Sequence, residues 1–176
     1  MILKTVPEEI SELDNTGIFQ QTSFWGKLKS EYGAKSRAFD IKVDSEILPN
    51  KESHSHHEDL LVIIQAVNSE DSIAYIPYGP KLEPREDMQG AFLEEISESL
   101  RPYLPEHCIN IRYDLPWESQ WARDEDYYSG QGTWLGPPEK KTQEFRFNFN
   151  TVKWNLYKAN SDILPSNTLF IDLRKE

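Results

Sequence analysis

The segment Ser72-Ile-Ala-Tyr-Ile-Pro-Tyr-Gly-Pro80 decides the fold, because it is a short strand that runs directly into a rigid turn. Its first half is rich in β-branched and aromatic residues, which favour an extended backbone. Its two prolines fix φ and remove two backbone donors, while Gly79 permits a backbone shape that other residues resist. This chemistry predicts a loop that keeps a single shape at the end of a strand.

The sequence on both sides of this segment predicts a β-sheet. The continuous apolar run Leu60–Val67 indicates a buried central strand, and Asn68–Asp71 is a tight connection from which Ile73–Ile76 returns antiparallel. The partial alternation of Ser36–Val43 predicts another strand, as does Cys108–Tyr113. At the end of the chain, Thr168–Leu173 is predicted to be a strand as well.

Helices and loops are predicted between these strands. Pro7–Leu13 is expected to be a short helix, and Ser23–Tyr32 a second one, with Ser23 as N-cap and Gly33 just past its end. Glu86–Leu104 has the clearest helical period, with apolar residues every four positions and glutamates facing water, namely Met88, Phe92, Ile96 and Leu100 against Glu94, Glu95 and Glu98. Leu48–Asp59 is predicted to be a polar loop, and residues 115–141, which are rich in Trp, Tyr, Pro and Gly, an irregular one.

Three further blocks accompany the Tyr75-Ile-Pro-Tyr-Gly-Pro80 turn. Gln21, Trp25 and Lys29 are spaced i, i+4, i+8 and so share one helical face. The predicted strand Ile109-Asn-Ile-Arg-Tyr-Asp114 ends in a carboxylate, and Asp162-Ile-Leu-Pro-Ser-Asn-Thr-Leu-Phe-Ile-Asp-Leu173 closes the series. In this order the blocks resemble the FemABX family of peptidoglycan-bridge aminoacyltransferases. That family reads Q-x-x-x-W-x-x-x-K, Y-x-P-x-G-P, R-[FY]-D and P-x-x-T-x-x-[IL]-D-L.

The resemblance implies a fold and a reaction. The fold is α/β, a single GNAT-like half over residues 1–176, with a mixed and mostly antiparallel sheet flanked by helices. The reaction is the transfer of an amino acid from aminoacyl-tRNA to the stem peptide of a muropeptide precursor, either UDP-MurNAc-pentapeptide or its lipid-linked form. Family members have two such halves. The resemblance covers the first, precursor-binding half, and an isolated half is expected to be inactive in transfer.

The resemblance also assigns roles to residues. Lys29 would meet the phosphate-bearing part of the precursor, and Asp114 would act as the catalytic carboxylate that orients or deprotonates the incoming amine. Further substrate-binding residues by the same resemblance are Gln21, Trp25, Tyr75, Tyr78, Gly79 and Arg112. Structural alternatives remain for three of them. Lys29 is equally an ordinary solvated lysine, Trp25 a packing anchor, and Asp114 a loop cap or an ion-pair partner of Arg112.

The acidic balance of the chain constrains its partners. Nineteen basic residues against thirty acidic ones give a formal net charge of −11, which disfavours broad nucleic-acid binding. We therefore expect aminoacyl-tRNA to be held only with a second half. The competing hypothesis is a non-enzymatic remnant or binding module that keeps the precursor groove. Apolar surface that a second half would cover predicts a homodimer or concentration-dependent self-association.

Other classes of function lack their sequence signals. The histidines His54, His56 and His57 lie in a predicted polar loop without a cysteine partner, so solvated side chains are expected and no metal. No acyl-CoA phosphate turn, Walker A or G-x-G-x-x-G is present, so no cofactor is expected. The aromatic loop could stack on a sugar or nucleobase, although its carboxylates repel phosphate.

The single Cys108, predicted to be a buried thiol, and the absence of an apolar run of membrane-spanning length predict a cytoplasmic protein without a membrane span.

Overall fold

A computed structural model of the chain describes residues 3–13, 17–49, 55–117 and 127–136. Within them lies a five-stranded sheet with the order β1-β2-β3-β4-β5. The strands are β1 Leu3–Glu8, β2 Lys35–Asp44, β3 Ser55–Ala66, β4 Ser72–Ile76 and β5 Cys108–Tyr113. The first four are antiparallel neighbours, and β5 pairs parallel to β4. The predicted mixed, mostly antiparallel sheet is therefore confirmed.

Two helices cover the opposite faces of this sheet. Helix α1 spans Ser23–Glu31 and helix α2 spans Gln89–Leu100. Along β2, Phe39, Ile41 and Val43 belong to the core that contains α2, whereas Ala38 belongs to the cluster beneath α1. Because successive residues of a strand point to opposite faces, this alternation produces a helix–sheet–helix arrangement.

Helix α2 makes the parallel pairing of β4 and β5 feasible, since parallel strands need a crossover between them. It buries the predicted stripe, and Phe92, Ile96 and Leu100 are fully enclosed. The helix is shorter than expected, because 3-10 turns at Glu86–Met88 and Arg101–Tyr103 flank it. Glu94 is also buried, so the expectation that it faces water is wrong.

Helix α1 lies close to the sheet because of Gly26. A Cβ atom there would lie 3.0 Å from a methyl carbon of Leu61 and 3.2 Å from one of Ile10. The helix is capped by Thr22, whose hydroxyl accepts a hydrogen bond from the Trp25 N–H at 3.3 Å. The sequence predicts the cap one residue later, at Ser23. Gly33 follows the helix with a positive φ of 88°, the left-handed backbone expected of a glycine just past a helix end.

The structure corrects two predicted segments. Pro7–Leu13 does not form one helix, because Pro7 lies in β1 and only Ile10–Glu12 makes a 3-10 turn. The predicted loop Leu48–Asp59 ends early, since β3 begins at Ser55 and continues to Ala66. Within the predicted irregular segment 115–141, the described residues 127–136 form a tight hairpin closed by an isolated bridge between Tyr128 and Trp134. The predicted strand Thr168–Leu173 lies outside the described residues.

Candidate site at the ends of strands β4 and β5

The turn after β4 is shaped differently from the sequence-based expectation. The residue with a left-handed backbone is Tyr78, at φ 46°, and the bond between Gly79 and Pro80 is cis. Gly79 is required for space. A Cβ atom on it would lie 2.9 Å from Nε2 of Gln21 and 3.1 Å from Cδ1 of Leu60. Its small size lets the Gln21 side chain pass directly beside the turn.

Gln21 joins the first and second sequence blocks. Its side chain is 1% exposed, Oε1 accepts the Leu61 N–H at 2.7 Å, and Nε2 donates to the Pro77 carbonyl at 2.6 Å. A third, longer contact of 3.5 Å runs from Nε2 to the Leu61 carbonyl. These bonds are internal, so Gln21 holds the two strand segments in place.

The position of this carboxamide in the sheet explains its role. Ile63 pairs with Tyr75 in the β3–β4 register, so two residues further the same register would pair Leu61 with Pro77. At that point the carboxamide of Gln21 lies between the two strand segments and bonds to both backbones. The ladder therefore opens after Tyr75 without leaving these two buried backbone groups unpaired.

The third block meets the second at the end of β5. The Gly79 N–H donates to the Asp114 carbonyl at 3.1 Å, and the Asp114 N–H donates to the Ile76 carbonyl at 3.0 Å. The Tyr75 hydroxyl donates to Oδ2 of Asp114 at 2.6 Å. Because β4 and β5 are parallel, their carboxyl ends lie at one edge of the sheet, where these groups come together.

Asp114 has two charged or polar neighbours that limit its orientation. Besides the Tyr75 hydroxyl on Oδ2, Nε of Arg112 lies 3.7 Å from Oδ1. The side chains of Arg112 and Asp114 are 19% and 18% exposed. Burial, followed by the hydrogen bond to Asp114, raises the pKa of Tyr75 far above its usual value. The phenol therefore stays protonated and keeps donating to the carboxylate.

Glu58 fixes the far end of the turn. Its carboxylate accepts the backbone N–H of Lys81 on Oε1 and that of Leu82 on Oε2, the latter at 2.6 Å. Burial raises the pKa of Glu58, and the two backbone donors act in the opposite direction. Hydrogen bonds to its backbone therefore hold the turn at three points: Gln21 at its start, Asp114 at Gly79 and Glu58 at its end. Nothing in the local sequence around Glu58 pointed to this role.

Lys29 and Trp25 lie together on α1. The Lys29 ammonium is 4.9 Å from the centre of the Trp25 ring, a cation–π contact. Trp25 is half-buried against the cluster that also contains Tyr75, which supports its reading as a packing anchor. Two aromatic residues that no sequence motif indicated lie beside them. Phe19 and Phe24 are more than half exposed and pack on each other, and Phe19 also packs on Trp25.

The structure thus brings most of the sequence-predicted site residues together. A hydrogen bond connects Gln21 with Pro77 at the start of the turn. Asp114 is connected with Gly79 and Tyr75 by hydrogen bonds and with Arg112 by an ion pair. Tyr78 belongs to the same turn, while Lys29 and Trp25 belong to α1. The last sequence block, at 162–173, lies outside the described residues.

The histidines lie on a strand instead of in a loop. His56 and His57 belong to β3, and Nδ1 of His57 is 3.1 Å from Oδ1 of Asp40 on β2. His54 lies outside the described residues. Within the described ranges, no three His, Cys, Asp or Glu side chains are grouped as a metal site. Cys108, expected to be buried, is half-buried at the start of β5.

No protein-family model matches this chain, and neither does any curated protein. None of the helices in the described part of the chain is sufficiently long and apolar to cross a membrane.

Proposed function

We propose that this chain is a GNAT-like, precursor-binding half of a FemABX-type aminoacyltransferase. The observation that carries the proposal is the meeting of three sequence blocks at one place. Gln21 of the first block bonds to Pro77 of the second, and Gly79 of the second bonds to Asp114 of the third. Residues separated by up to 93 positions (114 minus 21) thus form one connected group at the ends of two parallel strands.

The sheet order supports the same proposal. Four antiparallel strands are followed by a helical crossover and a parallel fifth strand, an arrangement compatible with the GNAT-like half that the resemblance implies. The proposal extends this half over residues 1–176 as one domain. A cytoplasmic location follows from the proposed substrates, because aminoacyl-tRNA and UDP-linked precursors are cytoplasmic molecules.

In the proposed reaction, an amine of the stem peptide attacks the ester carbonyl of aminoacyl-tRNA. A C–N bond forms, the ester C–O bond breaks, and the ribose hydroxyl of the tRNA leaves. Asp114 would accept the proton that the amine releases and pass it to the leaving ribose oxygen, with Tyr75 and Arg112 fixing the two carboxylate oxygens. Lys29 would hold the precursor diphosphate, and its contact with Trp25 restricts the ammonium before the ligand arrives.

The second candidate is a binding module that holds the precursor without transferring an amino acid. The net charge of −11 favours it, because this surface repels a tRNA backbone. We expect no measurable transfer when this chain alone is incubated with charged tRNA and a UDP-linked muropeptide. Turnover well above the rate without protein would refute that expectation and would imply that a homodimer rebuilds the cleft, with self-association then visible by sedimentation.

Precursor binding is tested by replacing one of two nearby lysines. Lys29 shares a helical face with Trp25, whereas Lys27 is exposed and lies about 200° around the helix at 100° per residue. Losing one ammonium–phosphate contact costs on the order of 1–3 kcal/mol. Lys29→Ala should therefore weaken UDP-muropeptide binding by roughly five- to a hundredfold in calorimetry, and Lys27→Ala should change it little.

The possible results separate the alternatives. Equal losses in both lysine variants would indicate diffuse electrostatics instead of a site. Unchanged binding in both would show that Lys29 does not hold the precursor, and a failure of the unmodified chain to bind it would refute the proposal.

A further inference from the structure

The hairpin at residues 127–136 presents two aromatic rings on one of its faces. Tyr128 and Trp134 form an antiparallel bridge. The Leu135 N–H donates to the Tyr127 carbonyl at 2.7 Å, and the Ser129 N–H donates to the Thr133 carbonyl at 2.8 Å. These bonds lie on either side of the bridge, so Tyr128 and Trp134 are the closer, non-hydrogen-bonded kind of cross-strand pair, whose side chains leave the backbone on the same face.

The tip of the hairpin is fixed by its own hydrogen bonds. The hydroxyl of Ser129 accepts the backbone N–H of Gln131 at 3.3 Å and that of Thr133 at 3.1 Å, and the Gly132 N–H donates to the Ser129 carbonyl at 2.8 Å. A positive φ of 75° at Gly132 completes the turn. The two rings are therefore carried by an ordered backbone, which lowers the entropy that binding must overcome.

Both rings are available to a ligand. Tyr128 is 47% exposed and Trp134 is 64% exposed. Residues 127–136 contain no charged side chain, and the polar residues that lie between Tyr128 and Trp134 in the sequence, Ser129, Gln131 and Thr133, are neutral. The neighbouring sequence 118–126 carries Glu118, Asp124, Glu125 and Asp126 against a single Arg123, and this excess of carboxylates disfavours a phosphate-bearing ligand.

We propose that the Tyr128–Trp134 face of this hairpin binds the ring of a neutral sugar. A pyranose has an apolar C–H face that stacks on an aromatic ring and hydroxyl groups that bond to neutral amides and hydroxyls. Nucleic acid is disfavoured by the excess of carboxylates in the adjoining sequence 118–126, and an apolar protein partner by the polar tip of the hairpin. The inference goes beyond the proposed transferase activity and does not depend on it.

The test uses the full chain and a neutral disaccharide of N-acetylglucosamine as the probe. Saturation-transfer NMR and calorimetry at millimolar sugar should detect binding. Trp134→Ala and Tyr128→Ala should each weaken it about fivefold or more, the loss expected on removing one stacking ring. Leu135→Ala is the matched control, because Leu135 is as exposed as Trp134, at 63% against 64%, but its aliphatic side chain has no ring to stack on a sugar. That variant should bind normally.

Additional arms separate this site from the proposed precursor site. Lys29→Ala should leave disaccharide binding unchanged, and UDP alone should not compete with the sugar. The inference is overturned if no sugar binding is detected, or if Leu135→Ala loses as much affinity as Trp134→Ala. If no sugar binds and Trp134→Ala also abolishes self-association in sedimentation, the Tyr128–Trp134 face is instead an interface between two copies of the chain.

Discussion

Replacing Gln21 by Met should destabilise the fold at the point where β3 and β4 separate. Met has a similar volume, so little cavity is created, but it cannot accept the Leu61 N–H or donate to the Pro77 carbonyl. Each buried backbone group left without a partner costs about 1–3 kcal/mol. Two such groups predict a loss of about 2–6 kcal/mol in the free energy of unfolding.

Urea unfolding followed by circular dichroism measures this loss, with the midpoint and the slope of the transition fitted separately. The matched control is Gln20→Met, which makes the same chemical change one residue earlier, at a position that is only partly buried. Gln20→Met should change the free energy of unfolding by no more than about 0.5 kcal/mol, as is usual for substitutions away from buried contacts.

One result would refute the reasoning about Gln21. If Gln21→Met and Gln20→Met have the same small effect, the carboxamide does not satisfy the two backbone groups, and the strand ends must find other partners. An unchanged slope with a lowered midpoint is the expected pattern, because the compactness of the native state should be kept.

Three more predictions concern Gly79 and Tyr75 at the candidate site and Glu8 on β1. Gly79→Ala should destabilise the chain by roughly 1–3 kcal/mol in thermal or urea unfolding, because the added Cβ would lie 2.9 Å from Nε2 of Gln21, whereas Gly130→Ala, at a position with open space, should cost less. Tyr75→Phe should cost about 1.5–3 kcal/mol by removing a hydrogen bond to a carboxylate, and an Asp114→Asn background should shrink that cost in a double-mutant cycle. Burial, together with the carboxylates of Asp59, Asp40 and Glu12, raises the pKa of Glu8 from 4.5 to about 7, so its contribution to stability is present below pH 4.5 and is lost as the pH rises through 7. Glu8→Gln should therefore be more stable than the unmodified chain at pH 8 and not at pH 5, and parallel pH profiles of the two chains would contradict this.

The sequence predicted the elements whose side chains follow a clear local period. The apolar run Leu60–Val67 and the turn at Asn68–Asp71 gave the β3–β4 hairpin, and the four-residue spacing of Phe92, Ile96 and Leu100 gave the core face of α2. These succeeded because burial of one face or of a whole strand leaves a regular mark in the sequence.

The sequence failed where pairing outweighed local preference. Pro7 and the glutamates after it favour a helix start, yet the backbone of Leu3–Glu8 pairs with β2 from Leu3 opposite Val43 to Glu8 opposite Ala38. The polar composition before Asp59 suggested a loop, yet β3 extends over it because β2 supplies a partner strand. Neither partner could be read from the segment itself.

The sequence by itself determined the mixed, mostly antiparallel sheet with its helices, the apolar core face of α2 and most of the residues that stand at the candidate site. Only the tertiary structure decided what those residues do. Gln21, predicted to touch a ligand, holds Leu61 and Pro77, which are 40 and 56 positions away. Gly79 is needed for space and not for its φ, and Tyr75 fixes Asp114 from 39 positions away. Such contacts depend on the order of the strands, and strand order leaves no period in the sequence, because it is set by pairing between distant segments.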